Sequence, residues 1–337
     1  MKKSIYIFLV VVLFSACEKI ELTFPPDNQI LAENALQTSE DLQKFLNSCY
    51  DVLANTYNGN CQNLATLQAD DVTSPNSQLD YLEVYNRNTI FFNGTIGGYY
   101  KQPYIAVYRS NYLLENVDLI SEITDEDKNR MTAEARFIRV LCHFDLVRLF
   151  AHPYGYTSDN SHNGIIIKTS TDPDPKPRNT VGEVYDFMIS ELIEISNLLP
   201  ENNGNYANKY SAHALLAKIY FQTNQLDLAI DQTNEVINSG IYTLDNDSLF
   251  IHRFREQLSQ EAIFSIVSTS NFDNRSVQFT GNYRSDINVN PTLRASEELF
   301  DLVNIFGDEE DKRASWFELK NAGAENEFVA INKFNKE

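Results

Sequence analysis

The chain has 337 residues, with 47 acidic and 27 basic side chains and a formal net charge of −20 at pH 7. This balance excludes nucleic acid and anionic lipid surfaces as partners, because both are bound through clustered Lys and Arg. The length allows one large domain or two smaller ones with sizeable cores.

The N-terminus has the pattern of a bacterial export signal. Two lysines precede an apolar stretch, Ile5–Phe14, that is too short to span a bilayer as a mature helix. The Ser15-Ala16-Cys17 that follows completes a sequence similar to the lipobox of bacterial lipoproteins, in which the cysteine thiol receives a diacylglyceryl group. We therefore predict a signal peptide at residues 1–16 and a lipid anchor at Cys17. The alternative is an ordinary secretory signal with an incidental Cys17.

Helical patterns dominate the first half of the remaining chain. A capping pattern opens a helix at Thr38 that continues to about Leu53. Residues 55–98, rich in Asn and Gly, are predicted to be a long irregular segment. Apolar spacing predicts further helices at Tyr104–Leu119 and Thr132–Phe150. The second of these is apolar on nearly all sides, which is typical of a helix buried in a core.

This buried helix also carries charged residues. Glu134, Asp145 and Arg148 fall along one stripe of its surface at helical spacing. Such a stripe is explained more simply by a bridge to a neighbouring helix than by catalysis. We therefore predict a structural role for these three residues.

The second half of the chain begins with a loop and a stiff connector. Residues 152–171 are predicted to be the loop, and alternating prolines in residues 172–177 fix φ and remove N–H donors, which predicts an extended connector. Thr180 and Glu183 then form a capping box that opens a helix, which is expected to end at Leu199.

A tetratricopeptide-type helical hairpin is predicted next. His213–Tyr220 and Ala229 have the spacing of its two helices, residues 223–225 form the turn, and Gly240 ends the second helix. One hairpin cannot bury its own apolar face, so neighbouring helices have to cover it. The predicted fold is therefore mostly all-α: an irregular tetratricopeptide-like helical solenoid with long loops and a few short strands.

Three cysteines follow Cys17. Cys49 and Cys61 could form a disulfide in an oxidising compartment, although spacing alone does not establish pairing. Cys142 lies in the most apolar helix and is predicted to be a small buried hydrophobe. The sequence has no Cys/His cluster with metal-ligand spacing, so neither a metal site nor a cofactor is predicted.

Residues 133–150 resemble the diagnostic helix of the SusD/RagB family of Bacteroidetes surface lipoproteins. Further segments that resemble family landmarks follow in the family's order and cover nearly the whole mature chain: residues 17–19, 25–26, 178–185, 209–220, 236–244, 261–266, 298–301 and 311–313. The resemblance predicts an N-terminal helical domain at 17–250. It also predicts the start of the family's C-terminal region at 251–337, which we expect to be truncated because family members normally continue beyond this point.

The resemblance implies a nutrient-binding lipoprotein on the exterior of the outer membrane, held there by its lipid alone. Such a protein captures glycan oligosaccharides and delivers them to a SusC-type TonB-dependent transporter. Binding rather than catalysis is expected, and the sequence has no nucleophile elbow, zinc-protease motif or phosphate-binding loop. Three alternatives remain open: a peptide-capturing family member, a surface glycoside hydrolase with two suitably placed carboxylates, and a purely structural helical-repeat adaptor.

Loops that mix aromatic and polar residues are the candidate ligand sites. Sugar faces stack on aromatic rings, while sugar hydroxyls exchange hydrogen bonds with Asn, Asp and Arg. Ordinary packing is the alternative for each residue. The candidates are Asp71, Tyr81, Tyr85, Asn86, Arg87, Tyr283 and Trp316, the only tryptophan.

Overall fold

A computed structural model of the chain describes residues 36–74, 78–254, 259–267, 275–286, 290–305 and 311–335. The predicted signal peptide and Cys17 lie outside the described residues. The structure below belongs to one compact unit, Thr38–Glu337. Within the described ranges, no helix has the length and apolarity needed to cross a bilayer.

Helices make up most of the described structure. In chain order they are α1 (Ser39–Thr56), α2 (Asn60–Gln68), α3 (Leu79–Tyr85), α4 (Gly94–Asn116), α5 (Asp125–Phe150), α6 (Val181–Ile195), α7 (Lys209–Gln222), α8 (Leu226–Asn238), α9 (Asp247–His252), α10 (Arg275–Gly281) and α11 (Glu297–Ile305), with short 3₁₀ helices at Val117–Leu119 and Lys312–Trp316. The strands are β1 (Val72–Thr73), β2 (Arg294–Ala295), β3 (Phe317–Lys320) and β4 (Phe328–Ile331). The prediction of a mostly helical fold with a few short strands is confirmed.

The short strands join distant parts of the chain. They form one antiparallel sheet in the order β1-β2-β4-β3, in which Val72 pairs with Ala295 and Ala295 pairs with Val329. One face of this sheet packs with α2, α3 and Tyr283 in a small apolar cluster. The sheet therefore fixes α2 and α3 against the C-terminal part of the chain.

Helix α5 is the centre of the main core. Its buried residues run from Met131 to Val147, and they pack against α1, α4, α6 and α7. The helix begins at Asp125 and not at the predicted Thr132, because the Thr124 hydroxyl accepts a hydrogen bond from the Asp127 N–H and caps an acidic first turn. The sequence pattern missed this first part because its charged residues show no apolar period.

The charged stripe on α5 reaches α1, as predicted for two of its three residues. Tyr50 donates a hydrogen bond to the Glu134 carboxylate at 2.7 Å, and Tyr57 donates one to Asp145. Burial raises the pKa of both carboxyl groups, while these hydrogen bonds oppose the rise. Arg148 instead contacts Asp145 within its own helix.

The predicted irregular segment 55–98 is wrong for much of its length, because α2, β1, α3 and the start of α4 lie within it. Gly59 adopts a left-handed φ of 105° just before α2. Helix α4 starts at Gly94, well before the predicted Tyr104, because the Asn93 side chain caps it. It then continues through Pro103, a residue that ends most helices.

The second half follows the sequence prediction closely. Thr180 and Glu183 form the predicted capping box, although α6 ends at Ile195 and a turn continues to Leu199. Helices α7 and α8 pack as the predicted hairpin, with Asn224 left-handed in the turn and Gly240 left-handed after the second helix.

All three described cysteines are free thiols, so the possible Cys49–Cys61 disulfide is not formed. Burial raises the pKa of Cys49 to about 12 and that of Cys61 to about 11. Cys142 is fully buried, as predicted for a small hydrophobe. Thiols in such surroundings stay protonated and unreactive.

Candidate ligand-binding site

Two of the candidate tyrosines lie inside the protein and meet at one asparagine. The Asn63 amide on α2 donates to the Tyr81 hydroxyl at 2.9 Å and accepts from the Tyr283 hydroxyl at 2.6 Å. All three side chains are buried, and burial raises the pKa of Tyr283 to about 12. These tyrosines therefore tie α2 and α3 to the C-terminal part of the chain and support a site without facing solvent.

Arg87, just after α3, and Asp70, just after α2, form an exposed ion pair. Arg87 Nη2 lies 2.7 Å from Asp70 Oδ2, and the same guanidinium donates to the backbone carbonyls of Tyr85 and Gln68. Both members of the pair have left-handed φ values, 52° for Arg87 and 61° for Asp70. A positive φ is uncommon for arginine, and such strained conformations cluster at functional sites.

The loop between α3 and α4 is held against α3 at its α4 end. The Glu83 carboxylate accepts a hydrogen bond from the Asn93 amide at 2.9 Å. The Asp80 carboxylate accepts one from the Thr95 N–H, also at 2.9 Å. Polar contacts with α3 therefore fix the end of the loop that carries the residues next to Asn93.

This fixed loop exposes two phenylalanines. Phe91 is 95% exposed and Phe92 is 83% exposed, and their ring centroids lie 5.2 Å apart in an edge-to-face arrangement. Large apolar side chains held in water without a covering element are a mark of binding surfaces. We name Asp70, Asn86, Arg87, Phe91 and Phe92 the α3–α4 loop site.

The other candidate residues take different places. Asp71 forms hydrogen bonds through its backbone. Its N–H donates to the Thr66 carbonyl, and its carbonyl accepts from the Ser296 N–H. Tyr85 is partly buried against the apolar cluster, and Asn86 is exposed at the end of α3. The structure thus gathers six of the seven candidates around α2, α3 and the sheet.

Trp316 lies directly before β3 and packs among aromatic side chains. Phe250 stacks on its ring with centroids 5.0 Å apart, and Phe254 packs edge-on at 5.5 Å. Its indole N–H donates to the Ile251 carbonyl at 3.0 Å. The ring is therefore engaged in packing against the α9 region, as the ordinary-packing alternative describes.

The sequence analysis placed Phe91 and Phe92 in an irregular segment and did not name them as candidates. The available signal was their position as an adjacent aromatic pair in a polar, Asn-rich segment. Chemically, the site offers a guanidinium, a carboxylate, an amide and two open aromatic faces. Across the described residues, no group of three or more His, Cys, Asp or Glu side chains is placed to hold a metal ion.

Residues 22–221, more than half of the chain, match a protein-family model described as "Starch-binding associating with outer membrane". The chain belongs to the SusD-like family. The curated SusD-like protein P25 of Formosa agariphila is 24% identical over 276 residues, which cover 78% of this chain and 50% of the relative. The chain spans about half the length of the curated SusD-like relatives it matches.

Solved SusD-superfamily structures share the fold. One from Bacteroides vulgatus ATCC 8482 superposes with a TM-score of 0.77 at 23% identity, covering 89% of this chain and 69% of that one. Another, from Bacteroides thetaiotaomicron VPI-5482, gives a TM-score of 0.75 at 25% identity, with coverages of 86% and 66%. The family resemblance of the sequence and the predicted fold are both confirmed.

Proposed function

We propose that this SusD-like chain captures glycan oligosaccharides at the α3–α4 loop site and works in nutrient uptake at the outer membrane. The family description supports the ligand class and the location. The observation that carries the assignment to this site is the exposure of Phe91 and Phe92 in a loop fixed by Glu83 and Asn93.

The chemistry of the loop site suits a neutral sugar. Phe91 and Phe92 offer flat apolar faces to the apolar side of a pyranose ring, and the Arg87–Asp70 pair offers both donors and acceptors to its hydroxyls. A neutral sugar is not repelled by a protein of net charge −20, because the sugar itself carries no charge. Binding of this kind requires no reactive group.

The proposed cellular setting follows from the N-terminal sequence. A lipid on Cys17 would hold the protein at the outer membrane with its body facing the cell exterior. From there it would deliver captured oligosaccharides to a SusC-type TonB-dependent transporter. The protein is proposed to release its ligand unaltered.

Binding of maltohexaose and soluble starch by isothermal titration and affinity electrophoresis tests this proposal. We expect Phe91→Ala, Phe92→Ala and Arg87→Ala to weaken binding by about 1–3 kcal/mol for each decisive residue, as truncation of an aromatic or arginine anchor commonly does. Phe221→Ala is the matched control, because this phenylalanine is also exposed but lies on α7.

Three results contradict the proposal. Unchanged affinity in all three loop variants would place the ligand elsewhere on the protein. Sustained release of shorter sugars from a bound glycan by the wild-type protein would move it to the glycoside hydrolases. A lack of binding to any glycan in a broad oligosaccharide panel would refute glycan capture itself.

A further inference from the structure

A groove runs along α4 and is lined by residues other than those of the loop site. Tyr100, Tyr104 and Tyr108 line one side of it, four residues apart and hence on one face of the helix. The extended chain at residues 166–173 forms the opposite wall. The groove encloses about 390 Å³, which is within the range of small-molecule sites.

Polar contacts fix the wall to the helix. Asn111, which is fully buried, donates hydrogen bonds to the carbonyls of Lys168 and Ser170 at 3.1 and 3.2 Å. The Glu115 carboxylate accepts from both the N–H and the hydroxyl of Thr171. The groove is therefore preformed, and a ligand need not order the wall when it binds.

The three tyrosines differ in how they are held. The Tyr104 hydroxyl donates to the Ile166 carbonyl at 3.0 Å and links the helix to the wall. The Tyr100 ring packs edge-on against Phe150 at 4.9 Å but remains 39% exposed, and Tyr108 is 52% exposed. Eight residues of helix separate these two rings, which places them about 12 Å apart along the axis.

We propose that this tyrosine groove is a second glycan site, one that takes an extended, neutral oligosaccharide. The inference rests on the proposed function in glycan capture and adds a site that the loop residues do not form. The two partly exposed rings lie about two turns apart on one helix, so an extended ligand can contact both of them. Their separation is close to two sugar units, the repeat at which a β-1,4-linked chain presents the same face.

The charge and composition of the groove fit the same ligand. Lys168 and Asp172 lie in its lining, so the charges of opposite sign balance. The α4 side of the groove is aromatic, and the opposite wall supplies hydroxyl and backbone polar groups. This division suits a sugar ring with one apolar face and a polar edge. A coiled α-1,4-linked chain turns its faces away from a straight line and would contact one ring at a time.

Isothermal titration with cellohexaose and maltohexaose tests the inference in the full chain. We expect the Tyr100→Ala/Tyr108→Ala double variant to bind cellohexaose at least tenfold more weakly than the wild type. The Tyr100→Phe/Tyr108→Phe variant retains both rings and should stay within threefold of the wild type. Tyr156→Ala removes an exposed tyrosine outside the groove and serves as the control. Far-ultraviolet circular dichroism of each variant confirms that it is folded.

The outcomes separate this inference from the proposed function. Cellohexaose affinity that is unchanged in the double alanine variant, or a groove that binds decaproline but not cellohexaose, overturns the glycan assignment of the groove. In that case the loss of maltohexaose binding in Phe91→Ala/Phe92→Ala still supports the loop site. If the Tyr100→Ala/Tyr108→Ala variant loses cellohexaose binding while the loop variants bind as the wild type does, the groove site is supported and the loop site is not. A wild-type protein that binds neither sugar overturns both.

Discussion

Phe137→Ala is expected to lower the free energy of unfolding by about 3–5 kcal/mol. Phe137 lies on α5 in the main apolar core and is only 2% exposed. Its ring packs edge-to-face on Phe264 with centroids 5.3 Å apart. Truncation removes the buried ring and leaves a cavity between helices that cannot fully close. Urea unfolding followed by circular dichroism measures the change.

Phe221→Ala provides the matched comparison for this core variant. Phe221 is the same residue type in a helix of the same unit, but it is 70% exposed. Its replacement should change the free energy of unfolding by no more than about 0.5 kcal/mol. A loss below about 1 kcal/mol for Phe137→Ala would contradict the burial of α5 on nearly all sides.

The stability of the fold is expected to fall by about 3 kcal/mol as the pH is lowered from 6.5 to 4, through His143 alone. His143 is fully buried on α5, where burial lowers its pKa to about 4. One ring nitrogen lies 2.7 Å from the Arg139 carbonyl oxygen, and the other accepts the Lys168 N–H. One ring nitrogen thus donates and the other accepts, which is the arrangement of a neutral imidazole.

The direction of this change in stability follows from the protonation state of His143 in the folded and in the unfolded chain. Above pH 6.5 the imidazole is neutral whether the chain is folded or unfolded, so its full contribution is present. As the pH falls from 6.5 towards 4, only the unfolded chain takes up the proton, and stability is lost. Glu134 and Asp145 have raised pKa values and shift stability in the opposite direction with pH.

Comparison with His143→Gln isolates the histidine from these carboxyl groups, because the variant has no imidazole to titrate. The difference between the two unfolding free energies should change by about 3 kcal/mol across this pH range. An NMR titration of the His143 ring provides a direct check that does not depend on the stability of the variant. A measured pKa near 6.5 would contradict the account.

Local signals explain what the sequence could predict. The capping boxes at Thr38 and Thr180 place donors and acceptors three residues apart, so they depend on no distant contact. The turn at Asn224 and the stop at Gly240 are likewise set by residues that tolerate a positive φ. Helix α5 was evident because its apolar residues cover nearly every side.

Distant contacts explain what the sequence could not predict. Helices α2 and α3 are short, and they are held by Asn63, which contacts Tyr81 on α3 and also Tyr283, 220 positions further along the chain. Strands β1 and β2 have two residues each and exist only as partners of one another and of β4. A pattern within a short window contains no information about such pairings.

The sequence grouped the candidate residues but did not give their orientation. The Asp, Tyr, Asn and Arg residues around 70–87 lie near one another in the fold, and their role in ligand binding stays a prediction. Residue type did not reveal that Tyr81 faces inward while Arg87 faces solvent. It also did not reveal that Phe91 and Phe92, in the segment predicted to be irregular, are exposed in a loop whose residues hydrogen-bond to Glu83.

A crystal structure of this SusD-like chain with bound maltohexaose tests the central claim most directly. We expect a sugar ring stacked on Phe91 or Phe92 at about 4 Å, with a sugar hydroxyl within hydrogen-bond distance of the Arg87 guanidinium. Maltohexaose bound at another surface, with Phe91, Phe92 and Arg87 all left open to solvent, would contradict the assignment of glycan capture to the α3–α4 loop site.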